Sequence, residues 1–243
     1  MAAPRRWVPA ALVALVVAAA LGWAWYQREG TAGGWQPPGP GSSGVSPAPS
    51  VTPDPGYDDA RRMLQTLPVK AWDRQQDFKR YRFGERWSDD VDVELGHNGC
   101  NTRDDILRRD LARIELRRGT CLVQSGILHD PYSGETIAFV RGPETSQTVQ
   151  VDHLVSLADA WYKGARSWDD RRRRDFANDP RNLLAVSAQA NFDKAFRDAA
   201  GWLPTNTAFR CEFVARQVAV KTVYRLWVSS NEKAAMEQVL HRC

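Results

Sequence analysis

The chain has 243 residues and a formal net charge of +4, from 33 lysines and arginines against 29 acidic side chains. That length suffices for one domain with appendages. So mild a basic excess permits a nucleic-acid partner without requiring one, and it excludes reading a function from net charge alone.

Arg5 and Arg6 precede an uncharged, apolar stretch over 7–26. At about 1.5 Å per residue, that stretch is long enough to cross a bilayer. Two readings stay open for residues 1–30. The aromatic residues Trp23, Trp25 and Tyr26 at the far end favour a retained membrane anchor, whereas the alanines at 18–20 offer the small-residue cleavage site of a signal peptide. In either case the remainder is exported, to the outer face of the cytoplasmic membrane or beyond it. Residues 31–56 are rich in Pro, Gly and Ser and form an extended tether. The folded domain is placed at 57–243. Leaving out Arg5, Arg6, Arg28, Glu29 and Asp54 lowers its charge from +4 to +3.

Within the domain, 57–82 carries an apolar face and is predicted helical. Thr102 with Asp105 three residues on marks a second helix start. After Ala112 the period shifts towards two, through CLVQSGILHD, a DPYSGE turn and TIAFVRG, which predicts a small antiparallel meander. TVQVDHLVSL (148–157) is a strand and 158–177 a basic helix broken by Asn178-Asp179-Pro180. NLLAVSAQ is a short extended run, and ANFDKAF opens a further helix. Apolar spacing predicts a helix over 206–227, and Ser229 with Glu232 is a capping-box signature for one more, reaching to about 242. The class is α+β, ending in a C-terminal helical hairpin.

The four cysteines, Cys100, Cys121, Cys211 and Cys243, have no C-x₂₋₄-C spacing, so disulfides in an oxidising compartment are favoured over zinc. Antiparallel packing of the last two helices would bring Cys211 to Cys243, which leaves Cys100 to pair with Cys121.

The chemistry concentrates around 148–157. Asp152 and His153 end one strand, Asn182 begins the next extended run, and Asn191 and Lys194 lie on the helix after it. A strand–strand–helix arrangement can gather Asp152, His153 and Asn191. The Asp and Asn oxygens are hard ligands suited to Mg²⁺, or to Mn²⁺. A neutral His alongside can take a proton from water, and Lys194 adds a cation where a phosphate would rest. Arg103 is placed either on a phosphate or in a salt bridge with Asp104 or Glu115. Arg171 to Arg174 reads as a solvated helix face, with contact to a nucleic-acid backbone as the other reading. His129 reads as a turn or strand-end residue.

VDHLVSLADAW, NDPRNLLAVSAQAN and the Asn191-x-x-Lys194 spacing resemble the HNH endonuclease superfamily with its ββα-metal site. GCNTRDDILRRDL, LHDPYSGETIAFVRG, WLP at 202–204 and FRCEFVARQVAVK extend the likeness. They are most similar to an exported bacterial branch related to the C-terminal domain of GmrSD-type restriction enzymes. The resemblance covers about 57–243. It implies a ββα-metal core set in a small antiparallel sheet with flanking helices. By the same resemblance Asp152 and Asn191 are metal ligands, His153 is the general base, Asn182 braces the loop that bears the base, and Lys194 is the basic residue after the last ligand. The activity implied is metal-dependent hydrolysis of nucleic-acid phosphodiesters, DNA favoured over RNA, leaving 5′-phosphate and 3′-hydroxyl ends. Ala195 and Phe196 depart from the small and acidic residues expected after the Lys. That departure supports the alternative, an inactive envelope module of the same fold that binds nucleic acid or a protein.

Overall fold

The computed structural model describes residues 57–243 other than Arg74 and Glu144. The segments read as anchor or signal peptide and as tether lie outside the described residues. Among the described residues, no helix is long and apolar enough to cross a membrane.

The first helix, α1 (Tyr57–Thr66), is far shorter than the predicted 57–82. Pro68 stops it, because the residue before a proline is driven out of the helical region. The chain then runs extended, with Val69 bridging Val228, and closes a single 3₁₀ turn at Arg80–Phe83. Helix α2 (Thr102–Asp110) is capped by the side chain of Asn101, which accepts the Asp104 amide. The cap therefore lies one residue before the predicted Thr102. Its last residues lead into the expected meander, β1 (Ala112–Leu116), β2 (Val123–His129) and β3 (Thr136–Val140), all antiparallel.

A second, two-stranded sheet pairs β4 (Val149–His153) antiparallel with β5 (Leu183–Ser187), setting Asp152 opposite Leu184 and His153 opposite Leu183. The connection carries α3 (Leu157–Tyr162), a 3₁₀ turn at Ala165–Ser167 and α4 (Asp170–Asn178). The sequence predicts one helix there. Gly164 breaks it at φ 133°, a conformation that glycine adopts without the Cβ clash, and Asp169 then caps α4 by accepting the Arg172 amide. Helix α5 (Ala188–Lys194) follows β5 with no intervening loop, capped by Ser187. The chain ends in α6 (Arg210–Tyr224) and α7 (Ser230–Leu240), and α7 starts with the expected Ser229–Glu232 capping box.

One core packs α1 against α6 and α7 through Leu64, Phe213, Val214, Val218 and Met236. A second joins the 3₁₀ turn at Phe83 to α3 and α4 through Val155, Trp161 and Phe176. A third seats α2 on both sheets through Ile106, Leu107, Phe139, Val149, Val151 and Leu183. Val149 and Val151 thus face the third core, while Gln150 and Asp152, at the alternate positions of β4, face α5.

Between α3, α6 and α7 lies a buried lattice of charges. Lys163 meets Asp159 at 2.5 Å, Glu232 at 2.6 Å and Asp198 at 2.7 Å, and Lys221 meets Asp159 at 2.8 Å and Glu232 at 2.9 Å. Burial alone would depress the Lys163 ammonium, but its three carboxylates outweigh that and hold it above the ordinary lysine range. Asp198, four residues after Lys194, is therefore occupied with Lys163.

Both cysteine pairings are as expected, Cys100–Cys121 with Cα atoms 5.6 Å apart and Cys211–Cys243 at 5.9 Å. The second joins the start of α6 to the end of the chain. Replacing Cys211 and Cys243 together by serine is expected to cost about 2–4 kcal/mol, measured as a fall in the urea-denaturation free energy without loss of native circular dichroism in water.

Candidate active site at the end of strand β4

Asp152 is buried at 6% exposure. The Tyr132 hydroxyl donates to its Oδ2 at 2.7 Å, and the Lys194 ammonium lies 3.2 Å from Oδ1 and 3.0 Å from Oδ2. Lys194 is wholly enclosed, at 0% exposure, and gives a further hydrogen bond to the His153 carbonyl at 2.8 Å. It therefore sits beneath Asp152 and not on the surface. Tyr132 comes from the β2–β3 turn and is packed edge-on against Trp202 and Phe213. Burial first, and then the Asp152 charge, push its hydroxyl well above the usual phenol range, so it stays a donor.

Asn191 stands one helical turn before Lys194 on the same face of α5. Its Nδ2 donates to Gln150 Oε1 at 2.7 Å, so it joins the strand through Gln150 and not through Asp152. The buried Asn182 clasps the loop after β4. Its Oδ1 accepts the Val155 amide at 2.8 Å, its Nδ2 donates to the Val155 carbonyl at 3.1 Å, and its own carbonyl accepts the Leu154 amide at 2.8 Å.

His153 has different partners from its neighbour, as alternation along a strand requires. Its Nε2 lies 2.8 Å from the Ala177 carbonyl at the end of α4, and the Trp87 ring stacks on it at 6.0 Å between centroids and 10° between planes. Burial lowers its pKa to about 3, helped by the charges of Arg80 and Lys194, and the Ala177 carbonyl offsets only part of this. The ring is therefore neutral at physiological pH. Because a carbonyl can only accept, the single ring proton sits on Nε2, which leaves the Nδ1 lone pair as an acceptor. Trp87 holds its place with a left-handed backbone at φ 59°, a conformation that costs a bulky residue energy.

The other sequence candidates are tied up elsewhere. Arg103 donates to the carbonyls of Ser146 and Val149 and lies over the Phe139 ring, so neither Asp104 nor Glu115 holds it. The 171–174 arginines do not form a solvated face. Arg171 pairs with Asp92, Arg172 donates to the Tyr224 carbonyl, Arg173 is buried among carbonyls that include those of Arg82 and Trp168, and Arg174 pairs with Asp90. His129 faces Thr136 across the meander turn at 3.1 Å. Tyr132, Gln150 and Trp87 were not legible as site residues. DPYSGE reads as a turn, and a tryptophan stacked on a distant histidine leaves no local pattern.

Among the described residues, no group of three or more His, Cys, Asp and Glu side chains could hold a metal ion. The oxygen donors on the α5 side of β4 are the Asp152 carboxylate, held by Tyr132 and Lys194, and the side-chain amides of Asn191 and Gln150, which are bonded to each other. This set fits a hard divalent cation that keeps most of its water, as Mg²⁺ does, and does not fit a fully protein-coordinated ion.

Ala195, immediately after Lys194, has φ 51° and ψ −127°, a conformation that favours glycine. Ala195→Gly is expected to stabilise the protein by about 1 kcal/mol, seen as a raised denaturation midpoint with an unchanged slope.

The family model for the C-terminal domain of GmrSD restriction endonucleases matches residues 101–239. An "Uncharacterized secreted protein" from Arthroderma benhamiae is 33% identical over 203 residues, which is 82% of this chain and 93% of that protein. No solved structure matches the chain. The chain belongs to the family of GmrSD restriction endonuclease C-terminal domains, and that membership points to a nuclease-like enzyme.

Proposed function

We propose that this protein is an exported HNH-type endonuclease that hydrolyses phosphodiester bonds of nucleic acid, DNA in preference to RNA, with His153 as general base. The observation that carries the reading is a fixed, uncharged imidazole beside a clamped carboxylate. The Ala177 carbonyl holds Nε2–H, which leaves Nδ1 as the acceptor, while Tyr132 and Lys194 hold Asp152. The antiparallel β4–β5 pair running into α5 supports taking this unit as a ββα-metal core.

In this reading His153 Nδ1 removes the proton of the attacking water. Asn182 fixes the loop immediately after His153, so the ring's position is set by backbone hydrogen bonds on both sides. Lys194 orients Asp152 and neutralises much of its charge. A divalent ion held by Asp152 and Asn191 would neutralise charge on the scissile phosphate and the leaving 3′ oxygen. Export is supported by the two disulfides and by the secreted relative from Arthroderma benhamiae; residues 1–30 would supply the signal peptide or membrane anchor.

Incubating the full-length protein with end-labelled DNA and RNA, in Mg²⁺, Mn²⁺ or EDTA, tests the proposal. We expect cleavage in either metal, none in EDTA, and products with 5′-phosphate and 3′-hydroxyl ends. Cleavage that survives EDTA would remove the metal from the account. Ala195 and the 58%-exposed Phe196 favour a second reading, a binding module without turnover. Retained nucleic-acid binding with no cleavage in any metal would establish that reading instead.

A further inference from the structure

Beside His153 runs the segment 80–87, RYRFGERW, which lies outside the residues matched by the family model. It is anchored at both ends. Phe83 packs at 6.1 Å on Phe176 of α4 and at 6.1 Å on Trp161 of α3, and Trp87 stacks on His153 itself. This segment and α4, whose penultimate carbonyl holds the His153 ring, thus form one wall of the candidate site.

Arg80 lies in that wall in an unusual state. Among the described residues its side chain makes no hydrogen bond and no ion pair, and its Nη1 is buried without a partner. A guanidinium is always charged, and leaving a buried polar group unpaired costs free energy. The second arginine of the segment, Arg86, is also without an ion pair among the described residues. Its charge lies near enough to depress Arg80, after burial as the larger cause. Two neighbouring cations that lack ion-pair partners repel each other unless an anion joins them. The contrast with Arg171, Arg173 and Arg174, which are all paired to carboxylates nearby, is direct. The segment brings its cations to the chemistry, since Arg86 directly precedes Trp87, whose ring stacks on His153.

We propose that Arg80, seconded by Arg86, is the phosphate-binding residue of this site and grips a backbone phosphate of the nucleic acid next to His153. The planar fork of Arg80 suits bidentate contact with two phosphate oxygens. A phosphate on the accessible edge of the guanidinium neutralises the unpaired charge, relieves the repulsion between the two arginines, and sets the polyanion along the wall that carries Trp87. The assignment rests on the phosphodiesterase reading for the identity of its ligand. It rests on the unpaired cations alone for the anion site.

The test uses the full-length protein and two readouts. The first is the shift in Tm and in tryptophan fluorescence on titration with inorganic phosphate, compared with chloride at equal ionic strength. Wild type should respond saturably, Arg80→Ala should lose the response, and Arg80→Lys should keep a weaker one. The second is cleavage of labelled DNA, where Arg80→Ala should raise KM by about tenfold or more with a Tm in the absence of phosphate no lower than that of wild type. Arg86→Ala should give a smaller loss of the same kind. A phosphate response abolished by Arg80→Ala in a protein that cleaves nothing would uphold the anion site and overturn the nuclease reading. A wild-type protein blind to phosphate, or an Arg80→Ala protein equal to wild type in both readouts, would overturn the assignment.

Discussion

Replacing His153 by alanine is expected to lower the cleavage rate by about 100- to 10,000-fold, the range that a positioned general base contributes. The expectation follows from the ring's surroundings. Its one proton is committed to the Ala177 carbonyl, and burial beside two cations keeps the resting ring neutral, so the Nδ1 lone pair is available to take a proton from water. The truncation removes one hydrogen bond and the stack on Trp87. The structural loss should stay near 1 kcal/mol, and far-UV circular dichroism should remain native. Substrate affinity in the mutant should change little, because His153 carries no charge with which to attract a phosphate. A His153→Ala protein that binds DNA normally and cuts at the wild-type rate would remove the base from the account.

Lys194→Met has a large expected effect of the other kind. It leaves Asp152 as a buried carboxylate without its cation, and breaking one side of a buried pair costs about 3–5 kcal/mol. For a domain of this size that corresponds to a fall in Tm of roughly 10 °C. Adding Asp152→Asn to Lys194→Met should recover a substantial part of the loss, since the orphaned charge is then gone, yet it should not recover activity. Calorimetry of the two single variants and the double variant reads the coupling directly. If Lys194→Met is as stable as wild type, Lys194 is not the counter-ion that the geometry makes it.

Much of the architecture was legible where local chemistry dictates the local structure. The capping box at Ser229 and Glu232, the alternation through β1 to β3 and the Cys211–Cys243 pairing all rest on short-range patterns. The errors arose where one residue overrides a longer pattern, as Pro68 does in ending α1 and Gly164 in dividing the basic helix. At the site, the motif positions Asp152, His153, Asn182, Asn191 and Lys194 stood out as a set, but their partners did not. Tyr132 and Trp87 reach the strand end only through tertiary packing, from a turn and an irregular loop. Neither periodicity nor spacing records such contacts. The same limit explains Arg103 and the 171–174 arginines, whose charges suggested a polyanion although the fold spends them on its own carbonyls and carboxylates.

Chemical rescue of a His153→Gly variant isolates the general-base role. Supercoiled plasmid is incubated in Mg²⁺ with wild type, with His153→Gly, and with His153→Gly plus imidazole at increasing concentration. Wild type should nick rapidly and the variant almost not at all, with a saturable return of nicking as imidazole fills the space beside Ala177 and Trp87. Nicking by His153→Gly at the wild-type rate, with no response to imidazole, would contradict that role.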